Sequence, residues 1–262
     1  MQLEQILKRD KIIVLSGLFI VVALCWGYLA HLVADMGISK MPMENRMSVL
    51  QIHPWSALDF WLMFVMWAVM MVGMMLPSAT PMILFFSAFN RKLRDQGHPF
   101  VRTSVFVSGY LILWCVFGLT AVLLQWQLDQ AALLSPMMVS TSPMLGGMIL
   151  IAAGVFQWTP LKHVCLKHCR SPLQFITSSW RKGTSGALIM GLQHGAYCLG
   201  CCWILMLLLF FGGVMNLMWI GALSIFVLLE KVLPAGVAFG RISGILLLIT
   251  GLLVITQTLP NL

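Results

Sequence analysis

The chain has 262 residues, 60% of them apolar and 9% charged, against roughly 25% charged in an ordinary soluble domain. Mean hydropathy is +0.94. These values exclude a soluble enzyme, a disordered chain and a nucleic-acid-binding domain, and the continuous rather than alternating apolar runs exclude a transmembrane β-barrel. The fold class expected is all-α: a polytopic transmembrane helical bundle, one domain over residues 1–262, with membrane lipid as its surroundings.

A spanning helix needs ~20 mostly apolar residues. The first such run is 12–34, behind a basic N-terminal flank; it is too long for a signal-peptide core and reads as a retained helix. The second, 56–86, is expected to break near Pro77 and Pro81. The third is 103–126, and the fourth, 144–158, is short. The uncharged stretch Gly183–Leu229, 47 residues, suits two helices, 184–211 and 215–233, parted by Gly212, Gly213 and Asn216. A seventh, 242–258, closes the chain.

The net charge of +8 is a matter of placement. Fourteen of the 16 Lys and Arg fall at the N-terminus and in alternate loops, including Arg91, Lys92, Arg94, Arg102, Lys162, Lys167, Arg170, Arg181, Lys182, Lys231 and Arg241. Only Lys40 and Arg46 fall on the other side. By the positive-inside rule the N-terminus is cytoplasmic and the C-terminus outside. The basic residues are read as a topology device.

Insertion explains the apolar residues; the soft ligands remain, namely 20 Met, 7 Cys and 6 His. On the fifth run, His194, Cys198, Cys201 and Cys202 stand at i, i+4, i+7 and i+8, one stripe of a helix, which Met190 and Met206 extend. A lone Cys is usually a small packed hydrophobe. Three with a His at membrane depth exceed what packing asks, because an imidazole in hydrocarbon needs a partner. Gly191, Gly195 and Gly200 would allow close helix packing. A second cluster, TPLKHVCLKHCRSP from Thr159 to Pro172, puts Cys165, His168 and Cys169 on one face of a short helix, with His163 upstream. Lys162, Lys167 and Arg170 are expected to lower the thiol pKa there. Cys25 and Cys115 stand alone and read as packing.

A methionine stripe follows the second run: Met63, Met66, Met70 and Met74, flanked by Met71 and Met75. Met70 and Met74 are expected to oppose the cysteine stripe. More methionines stand in the outer loops, Met36, Met41, Met43, Met47, Met137, Met138 and Met144, with His53. Thioethers outside, thioethers and thiols within, and thiols with imidazoles inside suit Cu(I) more than Zn(II), which would not select Met. Asp59 and Glu230 are functional candidates by their membrane position, and Glu230 could pair with Lys231 or a loop Arg. No nucleotide-binding loop is present, so neither nucleotide nor nucleic acid is an expected partner.

These motifs together resemble a bacterial family of predicted metal-binding integral membrane proteins, domain of unknown function 2182. The pieces that carry the likeness are MWAVMMVGMMLPSATPM, FQWTPLKHVCLKHCRSP, GLQHGAYCLGCCWILM, GGVMNLMWIGAL and LLEKVLP, over roughly Trp61 to Gly240. The family's motif positions fall on Pro160, Lys162, Cys165, Cys169, Arg170, His194, Cys198, Cys201, Cys202, Trp203, Glu230 and Lys231. The resemblance implies a multi-pass protein of the bacterial inner membrane, associated with copper-dependent oxidase systems. The reading is a non-enzymatic Cu(I)-binding protein, for copper uptake or for delivery to a cuproenzyme, with that cuproenzyme or a copper chaperone as partner. Its metal candidates are His194, Cys198, Cys201, Cys202, Cys165, His168, Cys169, Met70, Met74 and Met206. Two other readings are a membrane thiol oxidoreductase using Cys198 and Cys201, and a metal-free scaffold subunit.

Overall fold

The computed structural model describes residues 2–35, 55–96, 101–134 and 138–258. Among them the chain is 87% helical, with no strand. The helices are α1 (Gln2–Asp35), α2 (Ala57–Asp95), α3 (Thr103–Gln130), α4 (Pro143–Phe156), α5 (Pro160–Arg170), α6 (Pro172–Ser179), α7 (Gly183–Gly212), α8 (Leu217–Val232) and α9 (Gly236–Thr258). The loop candidates Met36, Met41, Met43, Met47, His53 and Met137, and the basic Lys40 and Arg46, lie outside the described residues.

The starts are set by local chemistry. Ser56 and Asp59 form a reciprocal capping box at α2, so Asp59, a functional candidate by its depth, is a helix cap. Ser142 and Thr159 cap α4 and α5, each with Pro at the first helical position, where its missing N–H costs nothing. Asn216 caps α8. Gly213, at φ 95°, ends α7 in a backbone region other residues avoid.

Five helical segments have the length and apolarity to cross a membrane: Lys11–Asp35, Ala57–Arg94, Thr103–Gln130, Gly183–Gly212 and Gly236–Gln257. A sixth results if α4 and α5, bent by 64° at their junction, form one span. Two of the seven expected runs are short helices. The 144–158 run is α4, with 14 residues, and the 215–233 run is α8, with 16. At 1.5 Å per residue α8 is ~24 Å long, short of a ~30 Å hydrocarbon core.

The expected break near Pro77 and Pro81 does not occur. Helix α2 runs on through both prolines to Asp95. Neighbouring helices occupy the nearby backbone carbonyls: the Tyr110 hydroxyl donates to the Met75 carbonyl at 3.1 Å and the Ser224 hydroxyl to the Met74 carbonyl at 3.2 Å. These bonds brace the turn just before Pro77 against neighbouring helices, and burial of this kind within protein is where an apolar helix can carry proline.

Helix α7 is the centre of the bundle, against α3, α4 and α5. It meets α3 backbone to backbone, because a Cβ on Gly191 would run into the Phe106 carbonyl and one on Gly109 into that of Leu188. Helices α4 and α9 pack together, α1 lies on α2, and α8 lies against α2. Exposed Ile12, Phe19, Leu24, Ile112, Val116, Ile245, Leu246 and Leu252 make the outer surface apolar, which fits a lipid-facing belt.

Candidate metal centre

Cys198, Cys201 and Cys202 face inward as their shared stripe with His194 requires; each is at most 1% exposed. They sit midway along α7. The Cys201 and Cys202 thiols lie 3.0 and 2.9 Å from the Cys198 carbonyl, the helical turn before them. Cys202 stands beside the Cys198 and Cys201 sulfurs. From the facing helix α5, Cys169 comes next to Cys201. Cys165 lies on Gly200, where any side chain would meet its sulfur at 2.7 Å. Four of these sulfurs, those of Cys169, Cys198, Cys201 and Cys202, thus gather in one cluster from two helices. All seven cysteines are free thiols.

Sequence reasoning groups Cys169 with Cys165 on one face of α5; the fold sets that face against α7, with Cys201 beside Cys169. Two of the cations expected to lower the α5 thiols point elsewhere. Arg170 donates to the Leu233 and Pro234 carbonyls at the end of α8, at 2.5 and 2.9 Å. Lys162 is 2% exposed and holds both carboxylate oxygens of Glu230, at 2.7 and 2.9 Å, together with the Gln157 side-chain oxygen. Glu230 therefore pairs with neither Lys231 nor a loop Arg.

Lys231 is the residue whose role the sequence hides. It follows Glu230 directly, but its ammonium turns into the thiol cluster, 2.9 Å from the Cys198 sulfur and 3.1 Å from the Ser78 hydroxyl. The Tyr110 hydroxyl completes the surroundings, 3.1 Å from the same sulfur. An ammonium buried this deeply needs a partner, and here it places positive charge beside a soft sulfur. By charge placement this lysine reads as a topology device; its place among the family's motif positions is the one signal in the sequence, and its pairing in space supplies the role.

The remaining candidates divide. His194 is buried one turn before Cys198, its ring among Phe106, Tyr110 and Phe175 at centroid distances of 5.6–6.1 Å. Its Nδ1 has no hydrogen-bond partner among the described residues. His168 stacks flat on Tyr197 at 4.2 Å, with its Nδ1 on the Val164 carbonyl. Met70, Met74 and Met206 are buried in the same core. The groups that join α2 to Cys198 are the Ser78 hydroxyl through Lys231 and the Met75 carbonyl through Tyr110.

Among the described residues no three His, Cys, Asp or Glu side chains already surround a common point as ligands to one ion. Cu(I) asks for less than that: it is soft and is satisfied by two or three sulfur ligands, whereas a structural zinc takes four. The clustered thiols, the adjacent ammonium and the orphaned imidazole nitrogen suit such an ion. The family model named PpoB2, copper chaperone, matches residues 64–254. The chain belongs to that family. No curated protein and no solved structure matches it.

Proposed function

We propose that this protein is a membrane-embedded copper chaperone that holds Cu(I) on the thiols of Cys169, Cys198, Cys201 and Cys202 and delivers it to a cuproenzyme under assembly. The observation that carries the reading is the buried turn of α7 that holds Cys198, Cys201 and Cys202 together, with the Lys231 ammonium 2.9 Å from the Cys198 sulfur. Copper is cargo here, and no catalytic step is assigned to the chain. Two thiolates on one Cu(I) make a singly negative unit, and Lys231 beside it offsets that charge in a low-dielectric interior. The basic loops support placement in a bacterial inner membrane with the N-terminus and α5 toward the cytoplasm. Family membership supports copper over other soft ions.

Metal analysis of the full chain purified from copper-fed cells tests this. Bound copper, with X-ray absorption showing sulfur neighbours and an ultraviolet thiolate-to-metal band, is the expected result. Cys198→Ser/Cys201→Ser should abolish the thiolate band and lose the copper that gives it. Copper-free protein, or a thiolate band retained by that variant, overturns the reading; a quinone-dependent loss of two free thiols in copper-free protein would point to the oxidoreductase instead.

A further inference from the structure

At the end of the bundle away from the basic loops, Gln125 is 1% exposed. A buried amide at this depth is costly where a Leu would pack freely, so its partners matter. The Trp67 indole N–H donates to its oxygen at 2.6 Å. Indole has no acceptor, so this bond fixes which end of the amide is oxygen. Both amide hydrogens then point the other way, and each meets a thioether: Met138 sulfur at 3.1 Å and Met63 sulfur at 3.7 Å. Met63 is on α2 and Met138 in the loop after α3, so one amide gathers two sulfurs from separate segments.

The loop is built to deliver Met138. Its backbone has φ 57°, the left-handed region that non-glycine residues rarely occupy and that surrounding structure must hold in place. Thr141 N–H donates to the Leu133 carbonyl and Ser140 N–H to the Phe210 carbonyl at the end of α7, pinning the chain beyond it. A thioether has two lone pairs, so each sulfur can accept from Gln125 and still offer a pair to a soft ion. Behind Met63 the thioethers continue. Met66, Met70, Met71, Met74 and Met75 are at most 1% exposed. They descend α2 over ~18 Å from Met63 to Met75, whose carbonyl shares Tyr110 with Cys198.

We propose that Met63 and Met138, held by Gln125, form a second soft-ion site, a neutral thioether pair that receives monovalent copper at the outer end and feeds it down the α2 methionines to the thiols. The inference rests on the copper reading above for its cargo. Thioethers are the ligands that remain competent where thiols would oxidise, and neutral ligands release a monovalent ion to a thiolate downhill. No redox step is involved; the ion exchanges ligands as Cu(I).

Silver(I), a redox-inert stand-in for Cu(I), is the probe, titrated into the full chain in detergent with metal content measured after dialysis. The ultraviolet thiolate-to-metal band reports the thiol site separately. Met63→Leu/Met138→Leu is close to volume-conserving and should fold. It should bind one silver ion fewer than wild type while the thiolate band is unchanged. Cys198→Ser/Cys201→Ser should lose the band and keep that ion. Gln125→Leu should weaken the thioether site about tenfold through lost preorganisation, again with the band intact. Equal silver content in wild type and the methionine variant overturns the proposal, whatever the band does. Absence of the band in wild type, with the thioether ion present, overturns the thiol reading alone.

Discussion

Glu230→Gln should be among the most damaging single changes in the chain. Lys162 and Glu230 are each 2% exposed, with both carboxylate oxygens within 2.9 Å of the ammonium. At an effective dielectric of about 20, a charge pair at this separation is worth roughly 6 kcal/mol. Gln retains part of the hydrogen bonding but leaves the ammonium buried without a counter-charge, and breaking such a pair costs about 3–5 kcal/mol. At roughly 2–4 °C per kcal/mol, the unfolding midpoint in detergent should fall by on the order of 10 °C. The double variant Lys162→Met/Glu230→Gln removes both charges and should recover most of that loss, since a charge-free replacement of a buried pair is often near neutral. A fall below about 1 kcal/mol for the single variant, or a double variant as unstable as the two single losses added together, would refute the argument that an uncompensated charge is the cause.

Cys169→Ser and Cys201→Ser should each cost nearly as much copper as the two together, because they share one site, whereas Cys165→Ser should cost much less; equilibrium dialysis of the three variants against a Cu(I) chelator decides it. Gly191→Ala drives a methyl into the Phe106 carbonyl, so it should cost about 1–3 kcal/mol of stability, read from thermal unfolding in detergent, and a neutral effect would mean that the α3–α7 approach is looser than described. A reporter fused after Leu262 should read outside the cytoplasm and one placed in the α5–α6 segment inside it; the reverse pattern would break the orientation drawn from the basic loops.

Much of this molecule is legible from residue order alone. The apolar runs become helices, and the inward turn of Cys198, Cys201 and Cys202 follows from one periodicity and one histidine. What is hidden depends on contacts between runs. Pro77 and Pro81 read as a break because sequence cannot show that Tyr110 and Ser224 serve the carbonyls beside them. Lys162 and Lys231 read as two more loop cations, yet one neutralises Glu230 and the other enters the thiol cluster, because α5 folds back on the middle of α7. Cys169 reads as the partner of Cys165, four residues away on one face, and only packing reveals that this face meets Cys201.

At the crossing of Gly109 and Gly191 no side chain stands between the α3 and α7 backbones to re-pack, which favours those two helices moving as one body. Three of the four clustered thiols ride on that body, while Cys169 rides on an 11-residue helix joined to the bundle through a 64° bend. On the copper reading, release of the ion from the thiols therefore calls for α5 to swing off α7 rather than for the bundle to part, and an ion bridging Cys169 to Cys201 would latch that hinge. Spin labels on α5 and α7 should report a narrower distance distribution when copper is bound.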